Sequence, residues 1–192
     1  MNKKSTFTLL GNPNCGKTAV FNLLTGLDQK VSNYPGVTVE KKLSSVKIDD
    51  YLVSFEDFPG TYSCNPQSLD EKIVHDSLFS WMDGSIAKPN GIIYVADSTN
   101  LRRNLYLCTQ LMALNIPIIL LLNMSDLTDP NSLVNIEELK KNLNLFDIIS
   151  FSAAKKTGQT ELKKSITNLL SKDVNKVDHN ILRLSKENFN LL

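Results

Sequence analysis

The sequence predicts an α/β fold in which a mostly parallel sheet of six strands carries helices on both faces. Three observations lead to this prediction: strand-like runs alternate with segments of helical spacing, most of the runs are continuously apolar, and a glycine-containing loop joins the first run to the first helix. Continuously apolar strands are typical of parallel sheets that are buried on both faces. The chain has 192 residues, of which 42% are hydrophobic, and this is enough for one such domain.

The six predicted strands lie between turn-forming residues. They cover residues 6–10, 37–48, 51–55, 91–96, 116–122 and 147–151. Asp49 and Asp50 predict a hairpin turn between the second strand and the third. Residues 29–36 are polar and include the breakers Pro35 and Gly36, so they are predicted to form a loop.

The predicted helices cover residues 19–25, 69–81, 101–114, 136–145 and 160–170. In the first three, apolar residues recur three or four positions apart and form one apolar face. Residues 1–171 are therefore assigned to one domain. Residues 172–192 are mostly polar, yet a few apolar residues recur at helical spacing, so this segment is expected to be either a frayed tail or the start of a further domain.

Charge and composition exclude several classes of function. The formal net charge of +1 gives no electrostatic case for nonspecific binding to nucleic acid or to a membrane. The three cysteines form no C-x-x-C pair, and their odd number favours a reducing compartment over a disulfide framework. The longest apolar run, residues 116–122, is too short to span a bilayer, so a soluble chain is expected.

A phosphate-binding loop is predicted between the first strand and the first helix. The pattern G-x-x-x-x-G-K-[ST] is matched by Gly11, Asn12, Pro13, Asn14, Cys15, Gly16, Lys17 and Thr18. Glycines let backbone N–H groups point at phosphate oxygens, and the following helix offers its N-terminus to the same anion. Lys17 would contact the β- and γ-phosphates, and the Thr18 hydroxyl would coordinate Mg²⁺.

A second motif, Asp57-Phe58-Pro59-Gly60, directly follows a predicted strand. Asp57 would hold Mg²⁺ through water, and Gly60 would donate its N–H to the γ-phosphate. Residues 57–62 are termed the Asp57 loop below.

A third segment, residues 34–40, is termed the Thr38 loop. Its Gly36, Val37 and Thr38 are predicted to contact the nucleotide, and the Thr38 hydroxyl would complete the Mg²⁺ shell when a γ-phosphate is present. A γ-phosphate would order both loops and its hydrolysis would release them, which describes a switch.

The residues predicted to bind the base of the nucleotide follow the fifth and the sixth predicted strands. Asp126, in Asn123-Met124-Ser125-Asp126, would accept two hydrogen bonds from guanine, whereas adenine would leave its carboxylate unpaired. Asn123 would tie the neighbouring loops together, with Met124 also at the nucleotide. After the last strand come Ser152, Ala153 and Ala154, and the N–H of either alanine would reach the guanine O6.

These motifs resemble those of the TRAFAC class of P-loop GTPases, which have a Ras-like G domain. More narrowly, GNPNCGKTAVFNLLTG, SNYPGVTVE, DFPGTYS and NMSD resemble the N-terminal G domain of the bacterial ferrous iron transport protein B (FeoB) family, over about residues 5–170. The resemblance implies binding of GTP and GDP with Mg²⁺, followed in the same protein by a helical domain and a membrane domain that carries Fe²⁺. The place implied is the cytoplasmic face of the bacterial inner membrane.

The same resemblance implies that Asn14 helps to hold a K⁺ ion beside the phosphates, so that K⁺ stimulates hydrolysis. The catalytic residues expected are therefore Lys17, Asn14, Gly60 and Thr38. Thr61 stands where Ras-like proteins have the glutamine that orients water. Since a threonine cannot imitate that glutamine, slow turnover is expected, near the ~10⁻⁴ to 10⁻³ s⁻¹ of unassisted Ras.

Two alternative functions are open to such a chain. One is a GTPase of ribosome assembly, of the Era or EngA kind, which shares the asparagine of the phosphate loop; the neutral charge balance and the weakly basic tail argue against it. The other is a P-loop ATPase or small-molecule kinase, against which Asp126 argues.

Overall fold

The sheet carries the site, and its strands are ordered β2–β3–β4–β1–β5–β6–β7 in the computed structural model, which describes residues 3–26, 28–34, 37–128 and 136–172. Strand β3 is antiparallel to both of its neighbours, and the other strand pairs are parallel. The strands are β1 Lys3–Gly11, β2 Lys30–Asn33, β3 Glu40–Ile48, β4 Tyr51–Asp57, β5 Gly91–Asp97, β6 Ile118–Asn123 and β7 Asp147–Ser150.

The sheet has one strand more than the six predicted from the sequence. The additional strand, β2, lies within the segment 29–36, for which a loop was predicted. All four of its residues are exposed, so no alternation of apolar and polar side chains marks it as a strand. It forms by backbone pairing with β3, with Lys30 opposite Leu43 and Asn33 opposite Glu40.

The helices cover the sheet on both faces. They are α1 Lys17–Thr25, α2 Leu69–Asp83, α3 Leu101–Leu111, α4 Ile136–Asn142 and α5 Gln159–Ser171. Helix α3 was predicted to continue to Leu114, but its last three residues form a 3₁₀ turn, and Asn115 ends that turn in the left-handed conformation with φ 52°. Helix α2 ends in the same way at Gly84, with φ 80°.

Alternate residues of each central strand enter two separate hydrophobic cores. In β5, Ile92 and Tyr94 pack in the core that α2 and α3 cover, whereas Ile93 and Val95 pack in the core that α1 and α5 cover. All four side chains are fully buried. The continuous apolar character of these strands thus follows from burial on both faces, and the predicted fold class is confirmed.

The carboxyl ends of the parallel strands meet at one edge of the sheet. The phosphate loop follows β1, Asp57 is the last residue of β4, and Asn123 is the last residue of β6. Ligand crevices of parallel α/β sheets lie at this edge. Gly36 and residues 173–192 lie outside the described residues, and so do the predictions made for them. No helix in the described part of the chain has the length and apolar character needed to cross a membrane.

Candidate functional site

A cleft of about 630 Å³ opens between the phosphate loop, the Asp57 loop and the first turn of α2. Its volume lies within the range of small-molecule sites in proteins. The residues that line it are Asn12, Pro13, Asn14, Gly16, Lys17, Thr18, Ala19, Gly60, Ser68, Asp70 and Glu71. Six of the predicted phosphate-loop residues and Gly60 are therefore brought together around one space.

A buried ion pair lies beside this cleft. Lys17 Nζ is 3.0 Å from Asp57 Oδ1, and the two side chains are 9% and 5% exposed. The Thr18 hydroxyl donates to Asp57 Oδ2 at 3.3 Å. The structure thus joins the predicted phosphate lysine to two of the predicted Mg²⁺ ligands. A hydroxyl and a carboxylate are the hard oxygen donors that Mg²⁺ prefers, so these residues fit that ion.

Two glycines permit close backbone approaches in this region. Gly16 has φ 86°, and a Cβ atom there would lie 2.3 Å from Asn123 Nδ2. A Cβ atom on Gly60 would lie 2.9 Å from both Cα and N of Pro13. The Asp57 loop therefore runs against the backbone of the phosphate loop, and only glycine allows this contact without a shift.

The remaining variable positions of the phosphate loop differ in character. Cys15 is buried, and burial raises the pKa of its thiol to about 11 although the charge of Lys17 acts in the opposite direction. It therefore stays protonated at neutral pH and packs as a small apolar side chain. Asn14 is exposed at the cleft with φ 64°, a conformation that asparagine tolerates better than most residues. Amide oxygens can coordinate K⁺, so the side chain of Asn14 fits the predicted role of holding that ion.

Asn123 links the phosphate loop to the last of the predicted motifs. Its side chain is buried; Nδ2 donates to the Cys15 carbonyl at 2.9 Å, and Oδ1 accepts from the Ala153 N–H at 3.1 Å. One amide thus spans the two loops, as was predicted for a residue that ties loops together.

Asp126 lies at the same end of the site and is exposed. The buried Ser152 donates its hydroxyl to Asp126 Oδ1 at 2.5 Å, and the same hydroxyl oxygen accepts from the Lys155 N–H at 3.0 Å. Met124, between Asn123 and Asp126, has φ 60°. The structure therefore brings the two predicted base-reading motifs into direct contact through Asp126 and Ser152.

The Thr38 loop is placed differently. Thr38 is exposed and is not among the residues that line the cleft. Its neighbours Val37 and Val39 pack on the core that α2 and α3 cover, as does Tyr34, so Thr38 faces outward between two inward-facing side chains. Of the three predicted Mg²⁺ ligands, Thr18 and Asp57 lie together and Thr38 lies apart.

Thr61, at the position of the Ras-like glutamine, is fully buried. Its N–H donates to the Gly11 carbonyl at 3.2 Å, and its hydroxyl lies 2.7 Å from the Ser63 carbonyl oxygen and 3.3 Å from Glu71 Oε1. The side chain is thus engaged with Ser63 and Glu71 and does not line the cleft.

The sequence analysis missed the contribution of α2 to the cleft. Ser68 caps this helix by accepting from the Glu71 N–H at 3.2 Å, and the Glu71 carboxylate accepts from the Gln67 N–H at 2.8 Å. The pattern S-x-x-E at residues 68–71 is a capping-box signature that marks such a helix start. It gives no sign, however, that Ser68, Asp70 and Glu71 face the phosphate loop.

Comparison with known proteins identifies a family. The family model described as ferrous iron transport protein B matches residues 5–166. The Fe(2+) transporter FeoB of Leptospira biflexa is 37% identical over 172 residues, which is 89% of this chain and 24% of the relative. FeoB of Escherichia coli K12 is 40% identical over 169 residues, which is 85% of this chain and 21% of the relative. The chain thus spans about a quarter or less of these relatives.

Solved structures give the same result. The G domain of T. maritima FeoB has a TM-score of 0.75 at 34% identity, with 87% of this chain and 99% of that chain covered. The cytosolic domain of L. pneumophila FeoB has a TM-score of 0.77 at 37% identity, with 86% and 68% covered.

A mutant of S. thermophilus NFeoB bound to GDP has a TM-score of 0.74 at 41% identity, with 84% of this chain and 60% of that chain covered. These matches give no support to the alternative of an Era- or EngA-like protein. With the family model covering most of the sequence and related G domains sharing its fold, the chain belongs to the family of the N-terminal G domain of ferrous iron transport protein B.

Proposed function

We propose that the chain binds GTP and GDP with Mg²⁺, hydrolyses GTP slowly, and acts as the cytoplasm-facing switch of a ferrous iron transporter. Family membership supports the transporter context, and GDP is the ligand of the S. thermophilus relative. The observation that carries the proposal is the buried Asn123 amide, which connects the phosphate loop to the Ala153 loop. Through this residue, a site for the phosphates and a site for the base are built as one unit.

At the phosphate end, nucleotide binding would exchange one ion pair for two new interactions. Lys17 would leave Asp57 for the β- and γ-phosphates, and Asp57 with Thr18 would turn to Mg²⁺, which when bound neutralises phosphate charge. The backbone N–H groups of residues 14–18, at the start of α1, would surround the same oxygens. Gly11, Asn12, Pro13, Cys15 and Gly16 shape this backbone.

At the base end, Asp126 would accept from the ring N–H and the exocyclic amine of guanine, which selects GTP over ATP. The Ser152 hydroxyl fixes the orientation of the carboxylate. Of the two alanines considered for O6, Ala154 is the better candidate, because the Ala153 N–H already donates to Asn123. Asn123 and Met124 would border the ring.

For hydrolysis, the Gly60 N–H would bind the γ-phosphate and the Thr38 loop, with Gly36 and Val37, would close so that the Thr38 hydroxyl reaches the metal. Thr61 cannot orient water, because its side chain is buried and engaged with the Ser63 carbonyl and Glu71. A slow intrinsic rate, near the ~10⁻⁴ to 10⁻³ s⁻¹ of unassisted Ras, is therefore part of the proposal.

Asn14 is proposed to hold K⁺, which when bound would neutralise charge that develops between the β- and γ-phosphates. Hydrolysis should then be faster in K⁺ than in Na⁺, and Asn14→Ala should remove this difference. Wild-type rates that are equal in the two salts would end this part of the proposal.

In the whole protein, residues 1–171 would be the G domain, and residues 172–192 would lead into a helical domain and a membrane domain that passes Fe²⁺. Sequencing of the downstream reading frame tests this arrangement. Several apolar helices of about 20 residues each are expected there.

Calorimetry with GTP, GDP and ATP, each in K⁺ and in Na⁺, tests the function itself. GTP and GDP should bind, and ATP should bind at least about 100-fold more weakly, because adenine would leave Asp126 unpaired. Asp126→Asn should lower the affinity for GDP by a similar factor. It should raise the affinity for xanthosine diphosphate, whose C2 carbonyl can accept a hydrogen bond from the new amide. ATP affinity equal to that of GTP would refute the proposal.

A further inference from the structure

Helix α3 holds the residues that follow Gly60. The Arg103 guanidinium lies over the ring of Tyr62, 4.3 Å from its centre. Two turns further along the helix, Gln110 Oε1 accepts from the Cys64 N–H at 2.9 Å. Residues seven apart share one face of a helix, so a single face of α3 contacts the segment of residues 62–64 at two points.

The start of α3 is itself fixed to the phosphate loop. The Tyr94 hydroxyl donates to the Asn104 carbonyl at 2.5 Å and lies 3.3 Å from Asn12 Oδ1. Asn12 Nδ2 also donates to the Arg103 carbonyl at 3.5 Å. Tyr94 and Asn104 are buried, so this network anchors the backbone of Arg103 relative to the loop that binds phosphate.

Gly60, whose N–H is predicted to bind the γ-phosphate, lies between the phosphate loop and the residues that α3 contacts. Gly60 packs against the backbone of Pro13, and the next residue, Thr61, donates its N–H to Gly11. The chain then emerges at Tyr62, which is 39% exposed and is covered by Arg103. The position of the Gly60 N–H therefore depends on contacts at both ends of a short segment, to the phosphate loop before it and to α3 after it.

We propose that Arg103 and Gln110 are positioning residues for GTP hydrolysis, which hold Tyr62 and Cys64 so that the Gly60 N–H keeps its place at the γ-phosphate. The inference rests on the proposed function. A donor that is already in place stabilises developing charge without reorganisation, so a looser loop lowers the rate of hydrolysis. GDP has no γ-phosphate, so its affinity is unaffected. Arg103 acts through Tyr62 and does not line the cleft.

The test measures single-turnover GTP hydrolysis and GDP affinity for the chain of residues 1–192. Arg103→Ala and Tyr62→Leu should each lower the rate by about two- to fivefold, the factor expected for an exposed cation–π pair. The double variant should be no slower than either single variant, because both remove the same contact. Tyr62→Phe keeps the ring and should keep the wild-type rate.

Arg102→Ala is the matched control, because Arg102 is the neighbouring exposed arginine of α3 and the substitution removes the same charge. It should hydrolyse GTP at the wild-type rate. Gln110→Met, which keeps the length of the side chain but removes the acceptor for Cys64, should lower the rate by about fivefold. Thermal unfolding of each variant establishes that it is folded.

Arg103→Ala with a wild-type rate would overturn the positioning role and leave the proposed function standing. The role would also be overturned if Arg102→Ala slowed hydrolysis as much as Arg103→Ala, since charge alone would then be the cause. A parallel loss of GDP affinity would overturn it as well. A wild-type chain that binds GTP but never hydrolyses it would remove both the proposed function and this inference.

Discussion

The Asp57 loop and the Thr38 loop border the same proposed nucleotide site but are held in different ways. The Asp57 loop runs alongside the end of β1 and the phosphate loop. Its Phe58 N–H donates to the Leu9 carbonyl at 3.3 Å, and its Thr61 N–H donates to the Gly11 carbonyl at 3.2 Å. The described part of the Thr38 loop closes on itself, with the Tyr34 N–H donating to Val39 at 2.9 Å and the Val37 N–H to Tyr34 at 3.2 Å.

From this difference we infer that the Asp57 loop is a fixed wall of the proposed site and that the Thr38 loop acts as a movable wall when nucleotide binds. The Asp57 loop is fixed to the element that would hold the phosphates, so its residues are in place before any ligand arrives. In the Thr38 loop, Val37 and Val39 pack on the core, and Tyr34 adds a ring contact with Phe58 at 5.9 Å and a hydrogen bond from its hydroxyl to Glu56 at 3.3 Å. Ground-state binding should therefore depend on the first loop, and hydrolysis on both.

The largest effect is expected from Lys17→Ala, which removes the phosphate-loop cation that pairs with Asp57 of the fixed wall. GDP affinity should fall by at least about 100-fold, because the phosphates lose a charged partner. The free energy of unfolding should also fall, by about 3–5 kcal/mol, because Asp57 stays buried without its cation. Calorimetry and urea unfolding measure the two quantities.

Lys140→Ala is the control for that experiment. The substitution breaks the ion pair of Lys140 with Asp147, in which the two side chains are 38% and 33% exposed. It should lower the free energy of unfolding by less than about 1 kcal/mol and leave GDP affinity unchanged. If Lys17→Ala bound GDP as tightly as the wild type, the role of Lys17 in phosphate binding would be wrong.

Gly60→Ala should move the fixed wall away from the phosphate loop. The added Cβ would lie 2.9 Å from the Pro13 backbone, so the loop must shift and the Gly60 N–H with it. GTP hydrolysis should fall by about 100-fold, the lower limit for losing one oxyanion donor, with little change in GDP affinity. Gly84→Ala, which has φ 80° but open space around it, should cost about 1 kcal/mol of stability and leave hydrolysis unchanged. Equal rates for Gly60→Ala and the wild type would contradict this prediction.

Thr38→Ala tests the movable wall. Since Thr38 is exposed and does not line the cleft, its loss should leave GDP affinity unchanged. Hydrolysis should fall by about tenfold, the effect of losing roughly 1.4 kcal/mol of transition-state stabilisation. Thr38→Ser keeps the hydroxyl and should recover the rate. A loss of GDP affinity in Thr38→Ala would show that the two loops do not differ as described.

The smallest effect concerns the tether of the movable wall. Tyr34→Phe removes the hydrogen bond to Glu56 but keeps the ring contact with Phe58, and should cost about 1 kcal/mol in urea unfolding. Burial raises the pKa of the Tyr34 hydroxyl, so it is protonated and donates throughout the neutral range. Tyr51→Phe, on the same strand as Glu56, is the control and should be close to neutral. A neutral Tyr34→Phe would mean that the ring alone forms the tether.

How far the sequence predicts the fold depends on where each segment lies in the sheet. Residues of β5 and β6 are identified as strands because both faces of the sheet bury them and their apolar character is continuous. The edge strand β2 is not identified, since its four residues are all exposed and show no alternation, and only the pairing with β3 makes it a strand. A hydrophobic pattern in the sequence indicates which residues are buried, so an exposed edge strand carries no such pattern.

The same distinction applies to the candidate site. Asp57 and Asn123 are found from the sequence because each ends a strand, and Lys17 is found because it begins α1 directly after the phosphate-loop pattern; the spacing of all three motifs is local. The contribution of Gln110 is not found, because its partner Cys64 is 46 residues away and nothing near Gln110 marks it. A contact made by tertiary packing leaves no local pattern, and the contacts of α3 with Tyr62 and Cys64 are of this kind.

The packing of Trp81 against Phe58 has a practical consequence. Trp81 is the only tryptophan of the chain; it is buried, and its ring meets that of Phe58 edge-on at 5.8 Å. Phe58 in turn lies beside Asp57 and touches Tyr34, so a rearrangement of either loop alters the surroundings of one indole. The protein therefore carries its own fluorophore, and stopped-flow emission can test for the proposed loop rearrangement on nucleotide binding without any label.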